Sequence, residues 1–146
     1  MNREIEFRGK RLDNDEWVYG DLMHDNHGGC YIYPLDAKNL YTENKVDPDT
    51  VGQFTGLHDK NNRGIYEGDI VECVSWNEYF TNPATGEVMQ PFRRKMYVDF
   101  RKGGFKIVEP MPEPMKDNEW DIICNGDIEI IGNIYDNPEL IKVKKV

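Results

Sequence analysis

The chain has 146 residues and a net charge of −9, from 18 basic and 27 acidic side chains. A duplex-binding surface needs an excess of Lys and Arg to neutralise phosphates, so this balance argues against a general duplex-binding protein. Aromatic residues make up 12% of the chain, and because each can bury a large area they can support the core of one folded domain.

The first predicted elements are strands. Ile5 and Phe7 alternate with polar residues, which is the period-two pattern of a half-buried strand and places Arg8 on its polar side. After a turn-forming Asp/Asn cluster, residues 17–22 form the return strand of a hairpin. A polar tip separates it from a short strand at 30–33, which Pro34 ends.

The middle of the chain continues the strand pattern. Residues 34–50 form a weakly structured connection that ends in a turn, where Pro48 presets φ. The short segment at 51–55, which contains an aromatic residue, favours a strand. Residues 56–64 form a polar loop. The β-branched run at 68–76 is typical of a central strand.

A long loop is expected at 77–94, where proline and glycine interrupt any regular pattern. Loops of this length in a compact domain are often mobile or form interaction surfaces. We expect specificity, if the protein has any, to lie in this loop and in the polar tip at 23–30.

The C-terminal third predicts a hairpin and a last strand. Apolar residues alternate on both sides of the turn at 101–104, which predicts a hairpin from 96 to 107. The prolines at 110–114 mark an exposed connector. Residues 117–124 fit either a short helical turn or a short strand, and 128–134 forms the last strand. Asn137 and Pro138 open a short C-terminal turn.

The cysteine spacing and the lack of long apolar runs indicate the fold class and the cellular location that we expect. The three cysteines, Cys30, Cys73 and Cys124, are odd in number and widely spaced, which does not fit a disulfide framework. The N-terminal residues lack the apolar region of a signal peptide, and no apolar run approaches the length of a membrane span. We therefore expect one cytoplasmic, mainly β (β-rich α+β) domain over 1–146, with small, inert thiols.

Four segments in order resemble the YopX family of phage and prophage proteins. They are residues 5–22, 51–57, 65–71 and 131–140. The resemblance implies an SH3-like barrel or roll with additional hairpins and short helical turns, a phage or prophage setting and self-association. An N-terminal β subdomain at 1–56 packed on a barrel-like part at 57–146 is a further possibility. The resemblance supplies no catalytic residues and no cofactor.

A basic, partly aromatic stretch is the one candidate binding surface. It comprises Phe92, Arg93, Arg94, Lys95, Tyr97, Arg101 and Lys102, which together we call the basic patch. Stacking and phosphate contacts of this kind bind single-stranded nucleic acid. The competing interpretation is a solvated hairpin face that offsets the excess of acidic residues.

Two other groups could carry chemistry. His24, His27 and Cys30 could ligate zinc, but their spacing matches no finger pattern and no fourth ligand is evident, so we expect a solvated loop and no metal site. Glu67 and Asp69 could act as an acid and a base on one strand face. Because no nucleophile or histidine accompanies them, a structural role in the turn is favoured.

The leading hypothesis is therefore a non-enzymatic interaction protein without a cofactor that forms homo-oligomers. An unidentified host or phage protein is a possible further partner, and no membrane contact is expected. The alternative is a nucleic-acid-binding module that uses the basic patch. A metal-dependent hydrolase is the third reading.

Overall fold

The structure is a computed structural model that describes residues 2–34, 44–74, 82–87, 93–122 and 127–141. These residues contain eleven β-strands and two short 3₁₀ turns, at Pro48–Thr50 and Pro138–Ile141. The chain divides into two compact units. One comprises Met1–Leu57 and Gly64–Gly68, and the other comprises His58–Arg63 and Asp69–Val146.

A six-stranded antiparallel sheet builds the first unit. Its strands are β1 (Phe7–Lys10), β2 (Trp17–His24), β3 (Cys30–Tyr33), β4 (Asn44–Val46), β5 (Gly52–His58) and β6 (Gly64–Tyr66). They lie in the order β4-β3-β2-β1-β5-β6. The predicted hairpin of β1 and β2 is confirmed, with Phe7 opposite Gly20 and Lys10 opposite Trp17.

The apolar cluster of this sheet explains the alternation along β3. Cys30, Ile32 and Val46 are buried at its centre, and partly buried apolar side chains from β1, β2 and the start of β5 pack around them. Burying such side chains stabilises the fold by roughly 25 cal/mol per Å² of apolar surface. The thiol of Cys30 is thus part of the core.

Arg8 departs from the predicted pattern. Its side chain is only 6% exposed, and the guanidinium lies 4.6 Å from the ring centre of Trp17 and 5.0 Å from that of Tyr66. Nη2 donates to the backbone oxygen of Glu67 at 3.1 Å. The prediction that Arg8 faces solvent is wrong, because two aromatic rings cover the polar side of β1 and hold the cation between them.

A five-stranded antiparallel sheet builds the second unit. Its strands are β7 (Asp69–Val74), β8 (Arg93–Arg101), β9 (Gly104–Glu109), β10 (Asn118–Asp121) and β11 (Glu129–Asn133). The order is β10-β9-β8-β7-β11. Its core comprises Ile70, Val71, Met96, Val98, Ile107, Val108, Ile128 and Ile130. The predicted hairpin of β8 and β9 is confirmed, with Arg101 opposite Gly104.

Some predicted boundaries change. Arg93 and Arg94 belong to β8 and not to the loop predicted at 77–94. A turn spans 83–85, and the other residues of that loop lie largely outside the described ranges. The ambiguous segment after Asp117 contains strand β10. Strands β4 and β6 were not predicted.

The mainly β class is confirmed, but neither sheet closes into the barrel that the resemblance implies. Each sheet, over the described residues, begins and ends on different strands. The single domain over 1–146 and the boundary after residue 56 stay predictions. In the described part of the chain, no helix has the length and apolar character needed to cross a bilayer.

Candidate interaction surface

Strand alternation divides the basic patch between the two faces of the second sheet. Successive side chains of a strand point to opposite faces. Arg94 therefore shares a face with the buried Met96 and Val98. Arg93, Lys95, Tyr97 and Arg101 lie on the other face, Lys102 lies in the turn, and Phe92 lies outside the described residues. The patch is not one continuous surface.

Carboxylates from neighbouring elements accompany the basic side chains. Arg93 Nε lies 2.5 Å from Glu72 Oε1, and Arg94 Nη1 lies 3.1 Å from Glu109 Oε2. Lys102 pairs with Glu119, and Lys95 stands opposite Glu72 in the strand register. Pairs at this surface contribute little stability, but they place a negative charge beside each of these cations.

Arg101 is the centre of a charged network. Its Nε donates to Asp99 Oδ2 at 2.9 Å, and its Nη2 donates to the Tyr97 hydroxyl at 2.8 Å. Glu119 lies 3.5 Å away, and Asp117 lies 3.7 Å away. The hydrogen bond to Asp99 raises the pKa of Arg101, while burial raises the pKa of Tyr97. Arg101 is thus a permanent, well-partnered cation.

An open cleft of about 570 Å³ lies beside Arg101. Its lining mixes three cations, three carboxylates and two methionines, namely Arg101, Lys102, Lys116, Glu113, Asp117, Glu119, Met111 and Met115. The backbone N–H of Met111 donates to Asp117 Oδ1 at 3.1 Å, which ties the connector to the end of the sheet. Ligand pockets are usually mostly apolar, so this charged, open cleft is a weak candidate for a small-molecule site.

The opposite face of the same sheet carries exposed aromatic side chains. Phe100 is 52% exposed and Trp120 is 42% exposed. Phe100 stands opposite Phe105, and their rings meet edge to face with centres 5.3 Å apart. Trp120 stands opposite Ile107, the next inward residue of β9. We call Phe100, Phe105 and Trp120 the aromatic face.

The two edges of this sheet differ. At β11, the backbone N–H of Lys60 donates to the oxygen of Ile128 at 2.8 Å, and the N–H of Ile130 donates to Asp59 Oδ2 at 3.0 Å. At the other end, β10 pairs with β9 and, among the described strands, with no other. Among the described strands, the aromatic face therefore adjoins an edge without a further partner, which is the kind of edge that other strands can join.

The histidine and cysteine side chains that suggested a zinc site do not form one centre. Asp25 Oδ1 accepts hydrogen bonds from the backbone N–H groups of His27 and Gly29, at 2.8 and 2.7 Å. His24 stands opposite Cys30 in the register, but the Cys30 side chain belongs to the buried core. Within the described ranges, no group of three or more His, Cys, Asp or Glu side chains is placed to hold a metal ion.

The Glu67 carboxylate is also engaged locally. Its Oε1 accepts the backbone N–H of Gln53 at 3.0 Å. This is a structural contact between β5 and the turn after β6, and Asp69 is buried. The sequence did not point to the aromatic face, although the turn at 102–103 fixes Phe100 opposite Phe105 and could have indicated that pair.

Comparisons with known proteins agree with this architecture. A family model described as YopX protein matches residues 6–142. The crystal structure of protein EF1440 from Enterococcus faecalis is similar, with a TM-score of 0.52 and 20% sequence identity over 97% of this chain and 100% of that one. At that identity the likeness shows the fold alone. No curated protein sequence matches significantly.

Proposed function

The chain belongs to the YopX protein family, and on that premise we propose that it is a non-enzymatic interaction protein that self-associates. In this proposal it is an accessory protein of a phage or prophage and acts in the cytoplasm. The observation that carries the proposal is the aromatic face beside the open edge of β10.

Exposed aromatic side chains favour a protein contact. Phe100 and Phe105 stand opposite each other on one sheet face, and Trp120 lies on the same face opposite Ile107, two residues along β9 from Phe105. Aromatic residues are enriched at the centres of protein interfaces, where each buries a large area at a low cost in side-chain entropy. Strand edges that stay open invite pairing, and natural proteins usually cover them. Self-association would cover both features at once.

Structural roles for the carboxylates support a non-enzymatic protein. Asp25, Asp59 and Glu67 each accept hydrogen bonds from backbone N–H groups. A carboxylate held in this way has a lowered pKa, as for Asp25 and Asp59. A general acid or base works best with a pKa near the working pH, so Asp25 and Asp59 are poorly tuned for proton transfer.

The alternative is a nucleic-acid-binding module that uses the basic patch. It has less support, because Arg93, Arg94 and Lys102 are paired with carboxylates and Arg94 lies on the other sheet face. Polarisation of a labelled single strand across salt concentrations tests it. Phosphate contacts would give binding that weakens steeply with salt, and an absence of binding at low salt would exclude them.

Static light scattering of the wild-type chain and two variants tests the proposed function. The mass should rise with concentration for the wild type, and should stay at 17.1 kDa for a variant with Phe100→Ser and Trp120→Ser. Met115→Ser is the matched control, because Met115 is also exposed but lines the cleft beside Arg101. A wild-type chain that stays monomeric at every concentration would contradict self-association.

A further inference from the structure

We infer that two copies of the chain pair through β10, antiparallel and centred on Trp120, to form one continuous sheet across both. The inference rests on the proposed self-association and names its geometry. It follows from three features of the second sheet: the turn at 102–103, the register of β8, β9 and β10, and the charges beside β10.

The turn between β8 and β9 fixes which residues exchange hydrogen bonds. Lys102 has φ 53° and Gly103 has φ 80°, as a type I′ two-residue loop requires. In such a hairpin the flanking residues, Arg101 and Gly104, form a hydrogen-bonded pair. Bonded and non-bonded pairs then alternate along the ladder.

This alternation determines the direction of the backbone groups of β9 and β10. Gly104, Lys106 and Val108 direct their N–H and C=O groups to β8, so Ile107 and Glu109 direct theirs to β10. Ile107 stands opposite Trp120, and Glu109 stands opposite Asn118. The backbone groups of Trp120 and Asn118 are therefore used within the sheet.

Glu119 and Asp121 consequently direct their N–H and C=O groups to the open edge. When two copies of one strand pair antiparallel in a continuous sheet, directly opposite residues point their side chains to the same sheet face. Because side chains alternate between faces along the strand, the numbers of two opposite residues differ by an even number. Centring the pair on Trp120 places Glu119 of each copy opposite Asp121 of the other copy. Both outward residues of β10 are then hydrogen-bonded, and the two Trp120 side chains meet in a non-bonded pair, where side chains come closest.

The neighbouring registers would need backbone groups from residues outside β10 to complete their hydrogen bonds. Centring on Glu119 would require Asp117, which precedes β10. Centring on Asp121 would require residue 123, which follows it.

Lysines on the same chain offset the repulsion between the carboxylates that this register brings together. Glu119 and Asp121 would face each other on the side away from Trp120, but each already holds a lysine on the same chain: Lys102 pairs with Glu119 and Lys106 with Asp121. The two-fold arrangement therefore brings together two charge-balanced pairs. The aromatic faces of the two copies become continuous on the other side of the sheet.

Sedimentation velocity of Asp121→Pro and Asp121→Ala tests the pairing. Proline removes the outward N–H without removing a bond to β9, and the edge of a sheet tolerates it. Alanine removes the same carboxylate and keeps the N–H, so it is the matched control. We expect Asp121→Ala to self-associate like the wild type, and Asp121→Pro to associate about tenfold more weakly or worse. Equal association of the two variants would overturn the pairing and leave self-association intact.

A cross-link decides the register if the proline variant fails to fold. Loss of the ring weakens association but leaves the outward backbone groups of Glu119 and Asp121, so at high protein concentration Trp120→Cys should still form a disulfide between two copies under mild oxidation by glutathione disulfide, mapped by mass spectrometry. Asp121→Cys should form little, because two Asp121 positions are offset along the strands. A cross-link at Asp121 equal to that at Trp120 would overturn the register, whereas a wild-type chain that never associates would overturn the proposed function itself.

Discussion

The carboxylate of Asp59 accepts a hydrogen bond from the backbone N–H of Ile130 at 3.0 Å, across a sequence separation of 71 residues. Its other oxygen accepts the N–H groups of Asn61 and Arg63, each at 2.9 Å. One side chain, only 7% exposed, thus holds its own turn and joins it to β11. Burial raises the pKa of Asp59, but the three donors outweigh it and leave the pKa below its ordinary value.

Replacing Asp59 with alanine should destabilise the protein by roughly 2–4 kcal/mol, because three backbone donors lose a charged acceptor and the N–H of Ile130 is buried. Urea unfolding followed by circular dichroism measures the change. Asp13→Ala is the control, since Asp13 is an exposed surface partner of Arg11, and should change stability by less than about 1 kcal/mol. Similar losses for both variants would contradict the role of Asp59.

The same carboxylate predicts an acid-sensitive contribution to stability. Because the folded pKa of Asp59 is lowered, its contribution is complete above the unfolded pKa of about 3.9 and is lost as pH falls through the folded value. The stability difference between the wild type and Asp59→Asn should thus be constant from about pH 7 to 5 and shrink below about pH 4. A difference that is independent of pH down to pH 2 would count against a lowered pKa.

Gly52 should not tolerate a side chain. A Cβ at this position would lie 2.6 Å from the backbone oxygen of Glu67, closer than real Cβ atoms approach. Gly52→Ala should therefore cost about 2 kcal/mol or more, through displacement of the backbone. Gly104→Ala is the control, because a Cβ there meets no atom within 4 Å. Thermal unfolding compares the two variants. Equal melting temperatures would contradict this expectation and show that the backbone near Gly52 moves to accept the side chain at little cost in stability.

The thiol of Cys73 should react slowly in the folded protein. Burial raises its pKa, and the nearby Asp127 adds to the shift, so less of the reactive thiolate is present near neutral pH. Alkylation by iodoacetamide at pH 7.5, followed by peptide mapping, should label Cys73 several-fold more slowly than the same residue in urea. Equal rates in both conditions would mean that the thiol is not held as the structure shows.

Patterns of sufficient length predicted most of the fold. Alternation over five or more residues indicated the hairpins of β1 with β2 and of β8 with β9, because one face of each is apolar. Strands β4 and β6 have three residues each, too few to show a period. In β10, Trp120 is the one apolar residue, so pairing with β9 decides its conformation.

The candidate surface was less predictable than the fold. The basic patch looked continuous in the sequence, because the carboxylates that accompany it come from distant positions: Glu72 is 21 residues from Arg93, and Glu109 is 15 from Arg94. Arg8 looked solvent-exposed for the same reason, since Tyr66 reaches it only in the folded sheet. Local patterns identify strands, whereas contacts between strands decide which charges are neutralised.

Amide hydrogen exchange at β10, measured by NMR over concentrations from about 10 µM to 1 mM, tests self-association through this edge most directly. The N–H groups of Glu119 and Asp121 should exchange more slowly as the protein concentration rises, because they become bonded to a second copy. The N–H groups of Trp120 and Asn118, already bonded to β9, should change much less. Exchange rates at Glu119 and Asp121 that do not depend on concentration would contradict the account.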